Sequence, residues 1–387
     1  MTAVGRQRQV KVIGIGRTAF GRHPGLTGRQ LGVEAARAAL ADAHISWEDV
    51  DAAYGGSNAG GNADAVIADL GLTGIPFTNV RNGCATGGSA LIAGCNAIRA
   101  GVADVVLVVG FDKHPRGAFS PTPADYGIPS WFGEQGMMVT TQFFAMKIMR
   151  YMHDFGITSG TLSAVAAKSY RFGALTPEAW RRTPLTRDEI ESSQMVNDPL
   201  TQYMFCSPAA GGAAVVLAGD AVSAGRDRAV TLRATSFTSR PFGSFEVFSP
   251  CLPPGALTSV SIGAARTAFE AAGLTPGEVE VAQLQDTESG AEIMHMAECG
   301  FCEDGAQEEL VAGGETDLTG KLPVNTDGGC IANGEPIGAS GLRQVHEVVT
   351  QLRGEAGERQ VAREPVVGFT HVYGAPGVSA CAVITRD

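Results

Sequence analysis

Apolar positions along this chain fall into two recurring patterns. Short runs dense in Val, Ile and Ala predict strands at Val10–Ile13, Val50–Ala53, Ile75–Val80, Val108–Phe111, Val279–Ala282 and Val366–Phe369. Longer stretches with apolar residues three and four apart predict helices over Ala35–Ala43, Ala90–Ile98, Ala264–Ala272 and Val345–Leu352. Helices alternating with short apolar strands predict an α/β fold in which helices pack on sheets.

The pattern also repeats. Ala35–Ala43 leads into Val50–Ala53 just as Ala264–Ala272 leads into Val279–Ala282, with Ala36 matching Ala265 and Val50 matching Val279 at the same offset. Val108–Phe111 and Val366–Phe369 echo each other at a larger offset, so the second half carries extra residues. Two copies do not make a solenoid. They predict a pseudo-symmetric pair of α/β lobes. The stretch from Asp112 to about Pro208 breaks the symmetry; rich in Pro, Gly, Met and aromatics, it reads either as a lobe covering a site or as a peripheral insertion.

Composition narrows the class. A chain of 387 residues with 44% hydrophobic and 18% charged residues is globular and large enough for two or three lobes. A net charge of −11 argues against a nucleic-acid surface. The N-terminus shows no export signal, and no apolar run reaches the length of a membrane span. Eight cysteines spread over this length do not read as a disulfide framework, so the expected compartment is the cytoplasm, with mostly free thiols. No metal site is expected.

Candidate chemistry centres on Asn82-Gly83-Cys84-Ala85-Thr86-Gly87-Gly88, where the strand pattern turns into the helix pattern. A cysteine near a helix N-terminus is favoured as thiolate, the reactive form. The alternative is a small buried hydrophobe. A second Gly-rich entry, Gly334-Glu335-Pro336-Ile337-Gly338-Ala339-Ser340-Gly341, precedes a helix in the other half. In a duplicated fold the two helix entries can face one cleft, which would bring Cys84 and Glu335 together.

These two motifs, with the closing His371-Val372-Tyr373-Gly374-Ala375-Pro376-Gly377, resemble the thiolase superfamily, and within it the sterol-carrier-protein-type thiolases often labelled lipid-transfer proteins. The resemblance extends through Gly110–Lys113, Asp198–Leu200, Gly211–Leu217 and Leu322–Asn325. It implies a duplicated, layered αβαβα fold with an inserted loop domain. The N-terminal half would comprise 1–112 with about 205–225, the cover domain 113–204 and the C-terminal half 226–387. It further implies a homodimer or dimer of dimers acting on a coenzyme A thioester, with no other cofactor. In such chemistry a cysteine accepts the acyl group as a thioester, and an acyl-CoA carbanion, generated by a base and held in an oxyanion hole, attacks it.

The sequence departs from that pattern at its catalytic positions. Glu335 stands where the family places the histidine of a Gly-His-Pro motif, and an ionised carboxylate only accepts hydrogen bonds. Gln285-Asp286-Thr287-Glu288 replaces the usual His-Asp-Cys-Phe or Asn-Glu-Ala-Phe; the Gln285 amide retains a donor, whereas Thr287 supplies no thiol. His371 aligns with the second catalytic cysteine and is a candidate base beside Cys84, or else a structural histidine; Tyr373 is a further acid or base.

Three readings follow. The first is an acyl-CoA acyltransferase that makes or breaks a C–C bond through an acyl-cysteine. The second is a retro-aldolase on a β-hydroxyacyl-CoA working with an OB-fold partner. The third is a non-catalytic acyl-CoA-binding subunit.

Lys113 and Arg116, within Lys113-His114-Pro115-Arg116, and Gly338 are the candidate contacts for coenzyme A; the basic cluster reads more readily as solvated surface. Cys299-Gly300-Phe301-Cys302 lacks the second pair of a zinc site and reads as a structural loop. Gly14-Ile15-Gly16 lacks dinucleotide-loop spacing. Cys95, Cys206, Cys251, Cys330 and Cys381 read as inert thiols, and His153 and His346 receive no role.

Overall fold

The computed structural model describes residues 8–240, 259–375 and 377–387. Its strands are β1 (Val10–Arg17), β2 (Ala52–Gly56), β3 (Phe77–Asn79), β4 (Val105–Lys113), β5 (Met195–Asn197), β6 (Leu200–Thr201), β7 (Ala210–Gly219), β8 (Val230–Ser239), β9 (Val281–Leu284), β10 (Val367–Gly374) and β11 (Val378–Thr385). Nine of these run β3-β2-β4-β7-β1-β8-β11-β10-β9, while β5 and β6 form a separate small hairpin. The two halves join where β1 meets β8 over only two residue pairs, Lys11–Thr231 and Val12–Val230.

Central strands read as continuous apolar runs because helices cover both of their faces. Every residue of β7 is buried. The Gly28–Ala43 helix packs on β1, β7 and β4, and the Val260–Ala272 helix packs on β8 and β11. Between the halves the Thr86–Arg99 helix, lying on β2 and β4, packs against the Ile337–Leu352 helix, which lies on β7 and β10. The layers therefore alternate helix, sheet, helix, sheet, helix, in the duplicated α/β architecture.

The two central helices come together at backbone contact: a Cβ on Gly341 would lie 2.7 Å from the Gly88 nitrogen. Leu91, Ile98, Leu342, Val345 and Val348 form part of the core around this crossing. Each such buried side chain contributes about 1.5–3 kcal/mol.

Local geometry repeats along with the pattern. The Gly28–Ala43 helix ends at His44 in the left-handed region (φ 52°), and its counterpart ends at Gly273 (φ 65°). A single 3₁₀ turn follows each, Trp47–Asp49 and Pro276–Glu278, with Ser46 paired to Asp49 and Thr275 paired to Glu278 in the same reciprocal cap.

From the end of β4 at Lys113 to the start of β7 at Ala210 the chain leaves the sheet. Its helices Thr140–Phe155 and Ser159–Ala174 build a core of Phe143, Phe144, Ile148, Leu162 and Val165 that is shared with Ile293, Met294 and Tyr373 of the second half. The inserted lobe is thus packed onto the C-terminal half. Among the described residues no helix is long and apolar enough to cross a membrane.

Candidate functional site

Cys84 stands on a sharp turn between β3 and the Thr86–Arg99 helix. Gly83 takes φ +55°, a conformation that suits glycine, and a Cβ there would lie 3.2 Å from the Ala375 carbonyl oxygen. The turn closes through Ala85 N–H to Asn82 O (3.1 Å), Thr86 N–H to Gly83 O (3.0 Å) and Asn82 N–H to the Thr86 hydroxyl (2.9 Å). The thiol is held where the central helix of one half meets the equivalent turn of the other.

Glu335 comes from that second turn and is fully buried. Its N–H donates to Ser207 O (2.8 Å) and its carbonyl accepts from Ala209 N–H (3.3 Å), so the 205–209 strip fixes its backbone. Gln285 Nε2 donates to Glu335 Oε2 at 3.0 Å and approaches Cys330 Sγ at 3.7 Å. Glu335 Oε1 is buried without a well-formed hydrogen bond.

Cys84, Gln285 and Glu335 are brought together, but the state of the thiol differs from expectation. Burial pushes the Cys84 pKa up, and the adjacent Glu335 carboxylate, followed by Cys206, raises it further. These effects outweigh the helix N-terminus that favoured thiolate, and Cys84 is a thiol at neutral pH.

His371 and Tyr373 lie on β10, whose end at Gly374 abuts the Cys84 turn: a Cβ on Gly374 would lie 2.5 Å from Asn82 O. His371 Nε2 is 2.9 Å from the Ser261 hydroxyl, and its ring packs 4.4 Å from that of His295, which in turn meets Glu298 at 2.6 Å. Burial, then His295, pushes the His371 pKa well below the usual histidine range. A neutral imidazole bound to a serine is not the cationic partner of Cys84 that the motif suggested. Tyr373 is buried beneath Lys147, whose Nζ sits 4.9 Å from its ring centroid. Alternation along β10 puts both residues on one face, while Val372 points to the central helices.

Two of the coenzyme A candidates, Lys113 and Gly338, have partners within the fold, and Asp112, which binds Gly338, also acts on the Cys84 pKa. Lys113 donates to His23 O (2.9 Å) and Leu26 O (2.5 Å), so its amine ties β4 to a neighbouring loop. The Gly338 N–H donates to Asp112 Oδ2 at 2.6 Å, under a buried backbone contact with Gly110. Arg116 is exposed and faces Arg22. Nearer the thiol, Tyr126 has its pKa raised by burial and then by Cys84. With Pro121, Met137, Met138, Thr140, Phe143 and Ala375 it lines a small apolar cavity of about 20 Å³.

Several neighbours were not singled out from the sequence. Cys206 and Cys330, read there as inert, both have pKa values pushed up by burial and then by Glu335, which places them around the same carboxylate. Asp286 and Glu288 are buried, and burial raises each to about 8. Two acidic residues in a polar strand-to-helix junction that follows the apolar strand β9 were the available signal. Cys299 is buried and Cys302 half-buried, both free; Cys251 lies outside the described residues. Among the described residues no cluster of three or more His, Cys, Asp or Glu side chains is arranged to hold a metal.

Residues 10–222 match the family described as "Thiolase, N-terminal domain" and residues 255–387 match "Thiolase C-terminal domain-like". An acetyl-CoA acetyltransferase of Methanothermobacter thermautotrophicus is 34% identical, over 97% of this chain and 99% of its own length. Sterol carrier protein 2 of Homo sapiens is also 34% identical, over 92% of this chain and 68% of its own. A solved structure titled "Ltp2-ChsH2(DUF35) aldolase" shares the fold, with a TM-score of 0.85 at 24% identity over 97% of each chain. The chain belongs to the thiolase superfamily of acyltransferases.

Proposed function

We propose that this enzyme makes or breaks a carbon–carbon bond β to a coenzyme A thioester, with Glu335 as its acid–base residue, and that the reaction is the cleavage of a β-hydroxyacyl-CoA. The observation that carries this reading is the buried Glu335 carboxylate, anchored through Oε2 by Gln285 while Oε1 stays without a well-formed hydrogen bond. Such an oxygen is an acceptor for a substrate hydroxyl.

In the forward direction Glu335 takes the β-hydroxyl proton. The hydroxyl-bearing carbon becomes a carbonyl as the Cα–Cβ bond breaks, and the electron pair passes into the thioester enolate. Cys84, a thiol, and the Gln285 amide are the neutral donors beside it. No cofactor is required beyond the substrate's coenzyme A. A homodimer, a separate OB-fold partner and a cytoplasmic location complete the reading; the aldolase with which the chain shares its fold is named as a two-component protein.

A second reading, acyl transfer through Cys84, is favoured by the retention of a cysteine on the turn and by 34% identity to a protein named acetyl-CoA acetyltransferase. Incubation with β-hydroxyacyl-CoA thioesters separates the two. Under the first reading Cys84→Ser still releases the carbonyl product while Glu335→Gln does not. Loss of turnover in Cys84→Ser, with an acyl adduct on Cys84 by intact mass in the unaltered protein, would establish the second instead.

A further inference from the structure

Glu288 carries a carboxyl group that the chemistry above does not use. It is fully buried at the start of the Ser289–Glu298 helix. Oε2 accepts the Gly290 N–H, whereas Oε1 is buried without a well-formed hydrogen bond, as is the Ser289 hydroxyl beside it. A carboxyl group serving only as a cap has no need of a second oxygen sealed from water and left unpaired.

Its position relative to Glu335 follows from one backbone strip. Phe205 pairs with Glu288, and Cys206 N–H donates to Thr287 O at 2.9 Å; three residues on, Pro208 pairs with Glu335. Three extended residues span roughly 10 Å, so the two carboxyl-bearing residues flank Cys206 from opposite sides. Cys206 registers both, since after burial its pKa is raised by Glu335, then Asp286, and also by Glu288. The covering element is equally close: a Cβ on Gly290 would lie 2.2 Å from Ile148, which brings the Thr140–Phe155 helix and its Lys147 down over this helix start.

We propose that Glu288 is a second catalytic residue, which exchanges a proton with the α-carbon of the acyl-CoA while Glu335 exchanges one with the β-oxygen. The proposal rests on the carbon–carbon bond reading above. In cleavage, Glu335 gains the hydroxyl proton and the enolate formed on bond breaking takes the Glu288 proton at its α-carbon; one carboxyl is charged as the other is neutralised, and the pair returns to its starting state by passing one proton back. In the reverse sense the Glu288 carboxylate removes the α-proton.

Charge supports this division. Burial raises Glu288 to about 8, opposed by the Gly290 N–H and by Lys147 from the cover helix and assisted by Asp286 of its own run; Cys206 faces it from the strip. Glu288 is therefore the protonated acid near neutral pH, and two carboxyl groups in unlike environments can hold acid and base roles at once.

The test is hydrogen exchange at the α-carbon of acetyl-CoA and propionyl-CoA in D₂O, read by mass spectrometry and requiring no bond cleavage. The unaltered protein exchanges, at a rate that rises with pH through about 8 as Glu288 ionises. Glu288→Gln, whose amide oxygen still caps Gly290, loses at least about 100-fold in exchange, and Glu335→Gln loses cleavage but retains exchange. Exchange in Glu288→Gln at the original rate overturns the proposal. So does a flat pH profile or no exchange in the unaltered protein, results that need no variant to fold. Glu288-dependent exchange in a protein that cleaves no β-hydroxyacyl-CoA would remove the retro-aldol reading and still support Glu288.

Discussion

Gln285 Nε2 donates to Glu335 Oε2 across 3.0 Å, linking the end of β9 to the turn that opens the Ile337–Leu352 helix. The carboxylate it reaches is fully buried. Loss of the bond leaves Glu335 Oε2 unpaired in a buried site. Gln285→Leu is expected to cost about 2–4 kcal/mol in urea unfolding. The double variant Gln285→Leu/Glu335→Leu should recover at least half of that, because both polar partners are then removed. Additive losses would show that the two side chains are not energetically coupled.

Cys84 gives a readout of the charge on its neighbour. Burial comes first among the effects that raise its pKa and the Glu335 carboxylate second, so alkylation by iodoacetamide should be slow at pH 7 and accelerate only in the alkaline range. Glu335→Gln removes the negative charge and shifts the thiolate population to lower pH, with labelling at pH 8 faster by about 10-fold for each unit of that shift. Mass spectrometry of the Cys84 peptide across pH 6–10 measures both curves. An unchanged curve in Glu335→Gln would mean that burial alone sets the thiol.

His371 should prove structural. Its ring is held by Ser261 and packs tilted against His295, and burial keeps it neutral. His371→Asn is expected to lower the unfolding free energy by about 1–3 kcal/mol. The pH dependence of Cys84 labelling should stay as it was, since no His371 charge reaches that sulfur. A displaced labelling curve would bring His371 back into the thiol's environment.

The extent to which the chain could be read in advance follows from how each contact is encoded. Repeated spacing located the two equivalent helices and strands, because periodicity records which face is buried; even the paired turns at Ser46–Asp49 and Thr275–Glu278 recur in step. The convergence of Cys84 and Glu335 followed from the same symmetry. What spacing could not reveal is electrostatic. The helix N-terminus at Cys84 argued for thiolate, but the opposing effect comes first from burial of the sulfur and then from a carboxylate some 250 residues away in sequence. Cys206 sits in a loop of small and aromatic residues and looked inert until the strip joining Thr287 to Glu335 placed it between two acids. His371 failed as a partner because its motif position fixes a strand and register, while the alternation along β10 turns its ring to the Ser261 side.

The raised acids make stability depend on pH in an unusual sense. Burial lifts the folded-state pKa of Glu288 from 4.5 to about 8, so between those values the folded protein holds a proton that the unfolded chain has released. The contribution is complete below about 4.5 and is lost as pH rises through about 8; Asp286, also raised to about 8, acts with the same sign. His346, which burial lowers to about 3, acts oppositely, since its neutral form is the folded one and stability falls as pH drops from 6.5 toward 3. Comparing Glu288→Gln with the unaltered protein cancels the His346 and Asp286 contributions. The unaltered protein should lose on the order of 2–4 kcal/mol more than Glu288→Gln between pH 5 and pH 8.5. Urea unfolding of both proteins at the two pH values reads the difference directly. Equal slopes would place the Glu288 carboxyl in contact with water, and with it would go the unpaired buried oxygen on which its assignment as an acid depends.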